Sequence, residues 1–388
     1  MLKLKLKYCI KCVMPNSRPN LTFNKSGVCS ACESAEEKKK VINWKEREKE
    51  LMHLFDRFRS KDKKKYDCIV PVSGGKDSIY LVHMVKKFDM NPLCVTFRTD
   101  ARTHIGEQNI QALRDIGVDH IDFAPNPEGI RKLRLKTFRE VGDCSVADHL
   151  AIWSLIPTFA IKFNIPLVVW GENADMEYGG TKDKRKVARL NRKWIENQHI
   201  LKGKEVQDWC DENLKLEELK SLIYPPKEQL DSLDYTPIFL GYYIPWDAKH
   251  NLEIARKYGF RVRERPIMGL YNYADLDCMY IVIHHYFKWL KYGFNRVTDN
   301  ACNEIRKGRM TRKEAIELVK EKDGIKPPKK FIEHFCRHVD ITWKEFWEIA
   351  EKFRNKDIWK KDGNGGWYID GWIGGDKIPD KFVFEPED

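Results

Sequence analysis

The sequence predicts an α/β protein: a parallel sheet covered by helices, preceded by a small cysteine-bearing segment and followed by a mostly helical region. Three observations carry this expectation. Short apolar runs alternate with helical periodicity from about residue 66 to 170, the rhythm of βα units. Two C-x-x-C pairs open the chain. From about residue 260 the alternation gives way to longer helices with capping boxes. The expected divisions are 1–62, 63–260 with a basic insert over 174–240, and 261–388.

Cys9-x2-Cys12 and Cys29-x2-Cys32 are separated by sixteen residues, within the spacing of a four-cysteine zinc site. Pro15, Pro19 and Gly27 supply turns between them. Four thiolates around Zn²⁺ would stabilise a segment too small to bury its own core; two redox C-x-x-C pairs are the alternative. A polar helix is expected from Glu33 to about Arg59. Strand-like runs follow at Tyr66–Val72, Leu93–Phe97, His120–Phe123 and Pro166–Trp170, with helical spacing at Ile79–Phe88, Gln108–Ile116 and Val146–Phe163, the last interrupted by Pro157. In the third region Leu276–Leu290 is helical, and Thr311-x-x-Glu314 and Thr342-x-x-Glu345 each open a helix. The Gly/Trp-rich stretch from Gly363 to Gly375 gives no structural signal. The other seven cysteines suit small core positions, with a catalytic alternative for Cys144 in its Gly142-Asp143-Cys144-Ser145 loop.

The net charge of +12 is unevenly spread. Residues 1–65 hold 18 Lys and Arg against 8 Asp and Glu, and the remainder holds 52 against 50. The excess lies largely in Lys38–Lys40 and Lys61–Lys65, read as the solvated face of a connecting helix. A nucleic-acid enzyme would spread positive charge over its catalytic domain, so nucleic acid is not the expected partner. No run reaches the roughly 18–20 consecutive apolar residues of a membrane helix. Met1–Lys7 alternates apolar and basic residues, without the unbroken apolar core of a signal peptide. The expected setting is cytoplasmic, with reduced cysteines and no membrane partner.

At the end of the first strand stands Ser73-Gly74-Gly75-Lys76-Asp77-Ser78. Glycines let the backbone turn, and the following helix presents unpaired N–H groups and its positive dipole end to an anion. Lys76 adds a point charge, and Ser73 and Ser78 add hydroxyl donors. Asp77 among phosphates makes sense with Mg²⁺ between them. No G-x-x-x-x-G-K-[ST] Walker loop occurs. The loop instead resembles, residue for residue, the S-G-G-x-D-S loop of the PP-loop ATP pyrophosphatases. That resemblance implies ATP as substrate and cleavage between its α and β phosphates. Further site candidates lie at later strand ends, where open α/β sheets collect ligands. They are Asp100 in Arg98-Thr99-Asp100, a place where the resemblance implies that adenosine is read, and Gly171, Glu172 and Asn173.

With both motifs placed, the chain resembles the N-acetyl sugar amidotransferases of surface-polysaccharide pathways. The marks are Cys9-Ile10-Lys11-Cys12-Val13-Met14-Pro15 with Arg18-Pro19, Gly27-Val28-Cys29-Ser30-Ala31-Cys32, and the loop at 73–78. Further marks are Ile165 to Asn173, Glu177-Tyr178-Gly179-Gly180, Lys291 to Asp299 and Ile305-Arg306. Tyr292, Asn295 and Val297 depart from the commoner F-G-F-G-R-A-T-D form, which leaves the sugar open. The resemblance implies conversion of an acetamido group into an acetamidino group through an adenylated imidate and ammonia, releasing AMP and pyrophosphate. It implies ATP, Mg²⁺ and structural Zn²⁺ as cofactors, with Lys76 and Asp77 in catalytic roles.

The phosphates of a nucleotide-linked sugar would be gripped by Lys184, Arg185 and Arg189 in the basic insert, whose alternative is a solvated helix; Arg296, Asp299 and Arg306 are further candidates for the sugar or for the ATP phosphates. The chain opens Met1-Leu2, without the N-terminal cysteine of a glutaminase, so ammonia is expected from a separate glutaminase subunit. The Lys38–Lys65 helix and the tail around Trp367 and Trp372 are the candidate docking surfaces. Two alternatives remain open: a PP-loop enzyme that thiolates or amidates a tRNA base, and a non-enzymatic zinc-ribbon nucleic-acid binder.

Overall fold

The computed structural model describes residues 6–180, 187–190, 192–196, 201, 203–375, 378 and 381–386. Five parallel strands form its sheet: β1 (Cys68–Pro71), β2 (Pro92–Phe97), β3 (Asp119–Phe123), β4 (Leu167–Trp170) and β5 (Thr236–Phe239), in the order β3-β2-β1-β4-β5. Side chains alternate between its two faces. Cys68 and Val70 pack into one core with α3 (Lys76–Lys87) and the helix Ala248–Lys257, while Ile69, Val95 and Val168 meet α6 (Val146–Phe163) on the other face. Among the described residues α6 is the one helix long and apolar enough to cross a membrane by length and composition; half of it is buried against the rest of the protein.

The strand order reverses beside β1, since β2 lies on one side and β4 on the other. The turn after β1 and the turn after β4 therefore flank one crevice at the carboxyl ends of the strands, where open α/β sheets bind ligands. This topology positions the loop at 73–78 next to Gly171–Asn173.

Several expectations are refined. The polar helix after the cysteines is two helices, α1 (Ser30–Lys40) and α2 (Trp44–Phe58), because Asn43 breaks the first run and caps the second by accepting from the Glu46 N–H. Helix α4 (His104–Arg114) stands near its expected place, but α5 (Pro127–Val141) has no counterpart among the expected helices, although Asn126 caps it and Pro127 occupies its first turn. Strand β5 lies inside the segment read as a basic insert, so that segment contributes the last strand of the sheet. Cys144 is buried, and burial pushes its thiol far up, which suits a core residue and not a nucleophile.

The cysteine segment does not stand alone. Val13, Met14 and Val28 belong to the same core as Ile283, Phe294 and Val297 of the C-terminal region. That region carries the helices Ile281–Tyr292, Arg296–Arg306, Arg312–Lys322, Lys329–Val339 and Trp343–Lys352. The Gly/Trp-rich tail forms a hairpin, Trp359–Lys361 paired with Trp367–Ile369, and Trp372 is buried against Trp289 at 5.5 Å. Trp372 is therefore core, and the expectation that it offers a docking surface does not hold.

Candidate active site

The loop after β1 is held by its own hydroxyls. The Ser73 N–H donates to Ser78 Oγ at 2.9 Å, and the Gly75 N–H donates to Ser73 Oγ at 3.3 Å. Gly74 sits at φ +79°, and a Cβ there would lie 3.1 Å from Ile110; only glycine makes this turn without strain. Lys76 and Asp77 open α3, which directs its N-terminal N–H groups into the crevice. Lys76 is buried, its Nζ 2.6 Å from Asp77 Oδ2, and Asn251 Nδ2 donates to Asp77 Oδ1 at 2.8 Å.

Two cavities border this loop, and a third shares lining residues with them. A small one of about 180 Å³ lies between Ser73–Asp77, Gly106, Asn109 and the segment 273–277. A second, of about 460 Å³, shares Lys76 and Asp77 with the first and extends to Trp44 and Trp246. Its wall is strongly cationic. Lys38, Lys39, Lys76 and Arg296 line it with Arg306, Lys307 and Arg309, against Asp77, Glu172 and Glu177 alone. The third, of about 440 Å³, lies beyond Glu172 and Tyr178. There Arg18, Lys288, Lys291 and Arg296 are matched one for one by Asp143, Glu172, Asp175 and Asp299. The rings of Tyr178, Tyr292 and Phe294 complete that lining.

Glu172 and Tyr178 stand at the boundary of the two larger cavities, and Arg296 lines all three. Burial pushes the Glu172 carboxyl up to about 7, and the nearby charges of Asp77 and Glu177 add to the shift. Arg296 is fixed by Asp275, with Nε 2.9 Å from Oδ2 and Nη2 3.1 Å from Oδ1. Asp299 is held by Arg18 at 2.5 Å and by Lys288. Burial opposes its charge, but these cations more than offset that and keep its carboxyl well below the usual range. Arg306 donates through Nη1 to the Glu177 carbonyl and to Asn303, and its charge faces Cys302 and the thiols of Cys12, Cys32 and Cys29.

The cysteines fit a zinc ion. All four are buried, and their Sγ atoms lie within 4.8 Å of one another. Cys9 to Cys32 is 3.9 Å and Cys12 to Cys29 is 3.7 Å. A tetrahedron with Zn–S bonds of about 2.3 Å has edges near these values, and a disulfide of about 2.05 Å does not. For magnesium, Asp77 and Glu172 supply two neighbouring carboxylates whose mutual repulsion a divalent cation would relieve.

The sequence-based candidates divide. Lys76, Asp77, Glu172, Arg296, Asp299 and Arg306 converge on the cavities. Asn173 does not: it is buried and caps α7 (Ala174–Tyr178), accepting from Asp175 and Met176 N–H and donating to the Val187 carbonyl. Gly171 lets the strand end pass Trp246, where a Cβ would lie 3.2 Å away. Asp100, expected to read the nucleotide, is bound by Arg134 at 2.6 Å and by His338 at 2.6 Å and lines none of these cavities. Arg189 is exposed and bridges Ile238 of β5. Lys184 and Arg185 lie outside the described residues. Lys38 and Lys39, which the charge pattern marks as solvated, line the second cavity, and Arg18 and Tyr178, to which their motifs assign no role, line the third.

Residues 255–371 match a protein family described as LPS biosynthesis protein WbpG-like, C-terminal domain. The matched segment supplies much of the wall of the third cavity. This match fits an N-acetyl sugar amidotransferase family, the resemblance drawn from the motifs. No curated protein matches the chain. Among solved structures, NMN synthetase from Francisella tularensis is 16% identical, covering 58% of this chain and 99% of that one, with a TM-score of 0.27.

Proposed function

We propose that the protein is an ATP-dependent, AMP-forming amidotransferase that converts the acetamido group of a nucleotide-linked sugar into an acetamidino group. The observation that carries the reading is the junction itself. A pyrophosphatase-type loop meets a cationic cavity on one side of Glu172 and a charge-balanced, ring-lined cavity on the other. Polyphosphate suits the first and a neutral polyhydroxylated ring suits the second. The match to a lipopolysaccharide-biosynthesis family supports a saccharide acceptor.

An amide oxygen is too poor a leaving group to depart as oxide. In the proposed reaction it attacks the α-phosphorus of ATP, the α–β bridging bond breaks, and pyrophosphate leaves into the loop at 73–78. Lys76 and the α3 N-terminus offset the charge on that leaving group. Asp77 and Glu172 are the carboxylates that would hold magnesium against the phosphates, where it would add to that charge stabilisation. Ammonia then adds to the imidate carbon, and the C–O bond to AMP breaks, giving the amidine. Arg296, fixed by Asp275, stands where the α-phosphate would face both cavities. The basic residues Arg306, Lys307 and Lys39 grip the carrier phosphates. A glutaminase subunit supplies ammonia away from water, which would otherwise return the imidate to amide.

The test is incubation with ATP, ammonium and a panel of nucleotide-linked acetamido sugars. AMP, pyrophosphate and a product with one oxygen replaced by an imino nitrogen are expected. ADP as the nucleotide product overturns the reading.

A further inference from the structure

The cysteine segment and the third cavity are built on each other. Arg18, between the two cysteine pairs, lines that cavity. Its Nη1 donates to Asp299 Oδ1 at 2.5 Å, and its guanidinium lies 5.5 Å from the Tyr178 ring centroid and 5.8 Å from that of Phe294. Ser17 Oγ donates to the Tyr292 carbonyl at 2.5 Å. Arg18 thus holds an acid from one C-terminal helix and a ring from α7 together, with an energy that burial enlarges.

The far side of the segment registers on α7. Gly179 at φ +92° passes so close that a Cβ would lie 2.8 Å from the Ala31 nitrogen and 2.9 Å from Ser30 Oγ. Ser34 Oγ donates to the Met176 carbonyl at 2.8 Å, and Lys38 pairs with Glu177 at 2.6 Å. Ala31 and Ser30 lie between the paired cysteines Cys29 and Cys32. Whatever fixes those cysteines therefore fixes the helix that carries Tyr178. Among the described residues the loop at 73–78 takes its hydrogen bonds from its own serines and Asn251, not from the cysteine segment.

We infer that the zinc knuckle is a working wall of the acceptor site: metal binding sets Arg18, Tyr178 and Asp299 in place, and Arg18 is a positioning residue for the acceptor. This rests on the reading of the third cavity as the acceptor's, and it adds that zinc governs acceptor affinity while leaving ATP affinity alone.

The experiment is hydrogen–deuterium exchange read by mass spectrometry on the full chain. It compares the zinc-loaded protein, the chelator-stripped protein, and zinc-loaded Arg18→Gln and Arg18→Lys. Stripping should raise exchange at 174–180 and 288–299 and leave 73–87 as it was. Arg18→Gln should reproduce the change in part, and Arg18→Lys should largely reverse it by restoring the ion pair. Binding of α,β-methylene-ATP should stay within about twofold throughout. With any acceptor found in the sugar panel, Arg18→Gln should raise its KM roughly tenfold or more with kcat little changed.

Unchanged exchange at 174–180 and 288–299 after stripping overturns the inference. So does a rise that spreads equally to 73–87 with loss of the ATP analogue, because the metal then supports the whole fold. Exchange and analogue binding need no acceptor, so they judge this inference even if amidination fails. AMP formation with unchanged exchange overturns this inference alone.

Discussion

Asp100→Asn separates a structural carboxylate from a nucleotide-reading one. The substitution keeps the side chain's shape and removes its charge. In the structure Arg134 is fully buried and bonds Asp100 through Nη2 at 2.6 Å and Nε at 3.2 Å, and Asp148 through Nη1 and Nη2, both at 2.9 Å. Breaking one partner of such a buried pair costs about 3–5 kcal/mol when the other is left alone. Here Arg134 keeps Asp148, so the loss should fall at or below the bottom of that range, about 2–3 kcal/mol. Burial alone would raise the Asp100 carboxyl, but Arg134 and His338 more than offset it and hold it well below the usual range. A depressed carboxylate contributes stability above its unfolded value of about 3.9 and loses it as pH falls through the folded value. The stability gap between wild type and variant should therefore be full at neutral pH and close only below about pH 4. Thermal melts across pH, with α,β-methylene-ATP titrations alongside, provide the assay. Weakened analogue binding with an unchanged melt would refute the placement of Asp100 outside the nucleotide site.

Lys76→Ala should lower turnover by about 10²–10³-fold, since it removes preorganised charge at the phosphoryl centre; AMP release against enzyme concentration measures it, and a loss under tenfold argues against the role. Cys9→Ser with Cys29→Ser should abolish stoichiometric zinc, read by metal analysis of the purified protein, and undiminished zinc would sink the four-cysteine site. The purified chain should use high ammonium chloride as nitrogen source and should use glutamine only after a glutaminase is added; efficient use of glutamine alone would exclude the partner.

The parts legible in the sequence were those whose chemistry is local. Six contiguous residues encode the loop, because a strand end, two glycines and a helix start are all that an anion cradle needs. The cysteine pairs announce their site by spacing alone. The missed elements have less to announce them. Strand β5 is only Thr236-Pro237-Ile238-Phe239, too short for alternation to register and broken by a proline. Lys38 and Lys39 look like any solvated run; only the contact of their helix with α7, with Ser34 bonded to the Met176 carbonyl, turns it toward the cavity. Arg18 meets Asp299 across 281 positions, a pairing that no local pattern contains. Asp100 lies away from the cavities for a related reason. Its partners Arg134 and His338 come from α5, which went unread, and from a helix of the distant third region.

The arrangement of charge carries the mechanism further than any single residue does. Two chambers of similar size differ sharply in electrostatics, one with seven cations against three acids and the other evenly matched. A phosphate chain entering the even chamber would have to displace existing ion pairs, such as those of Arg18 and Lys288 with Asp299. The cationic chamber suits phosphate, that of ATP at the loop and that of the acceptor's carrier at Arg306, Lys307 and Lys39. On the proposed reading the sugar ring and the phosphates are thus sorted by charge between the two chambers. Arg296 is common to both and spends Nε and Nη2 on Asp275, so its charge is held in position before either substrate arrives. A fixed cation at the meeting point costs no reorganisation when negative charge develops there. Lysine could not reproduce it, because an ammonium cannot make the paired bonds to Asp275 and also present a further donor in a fixed plane.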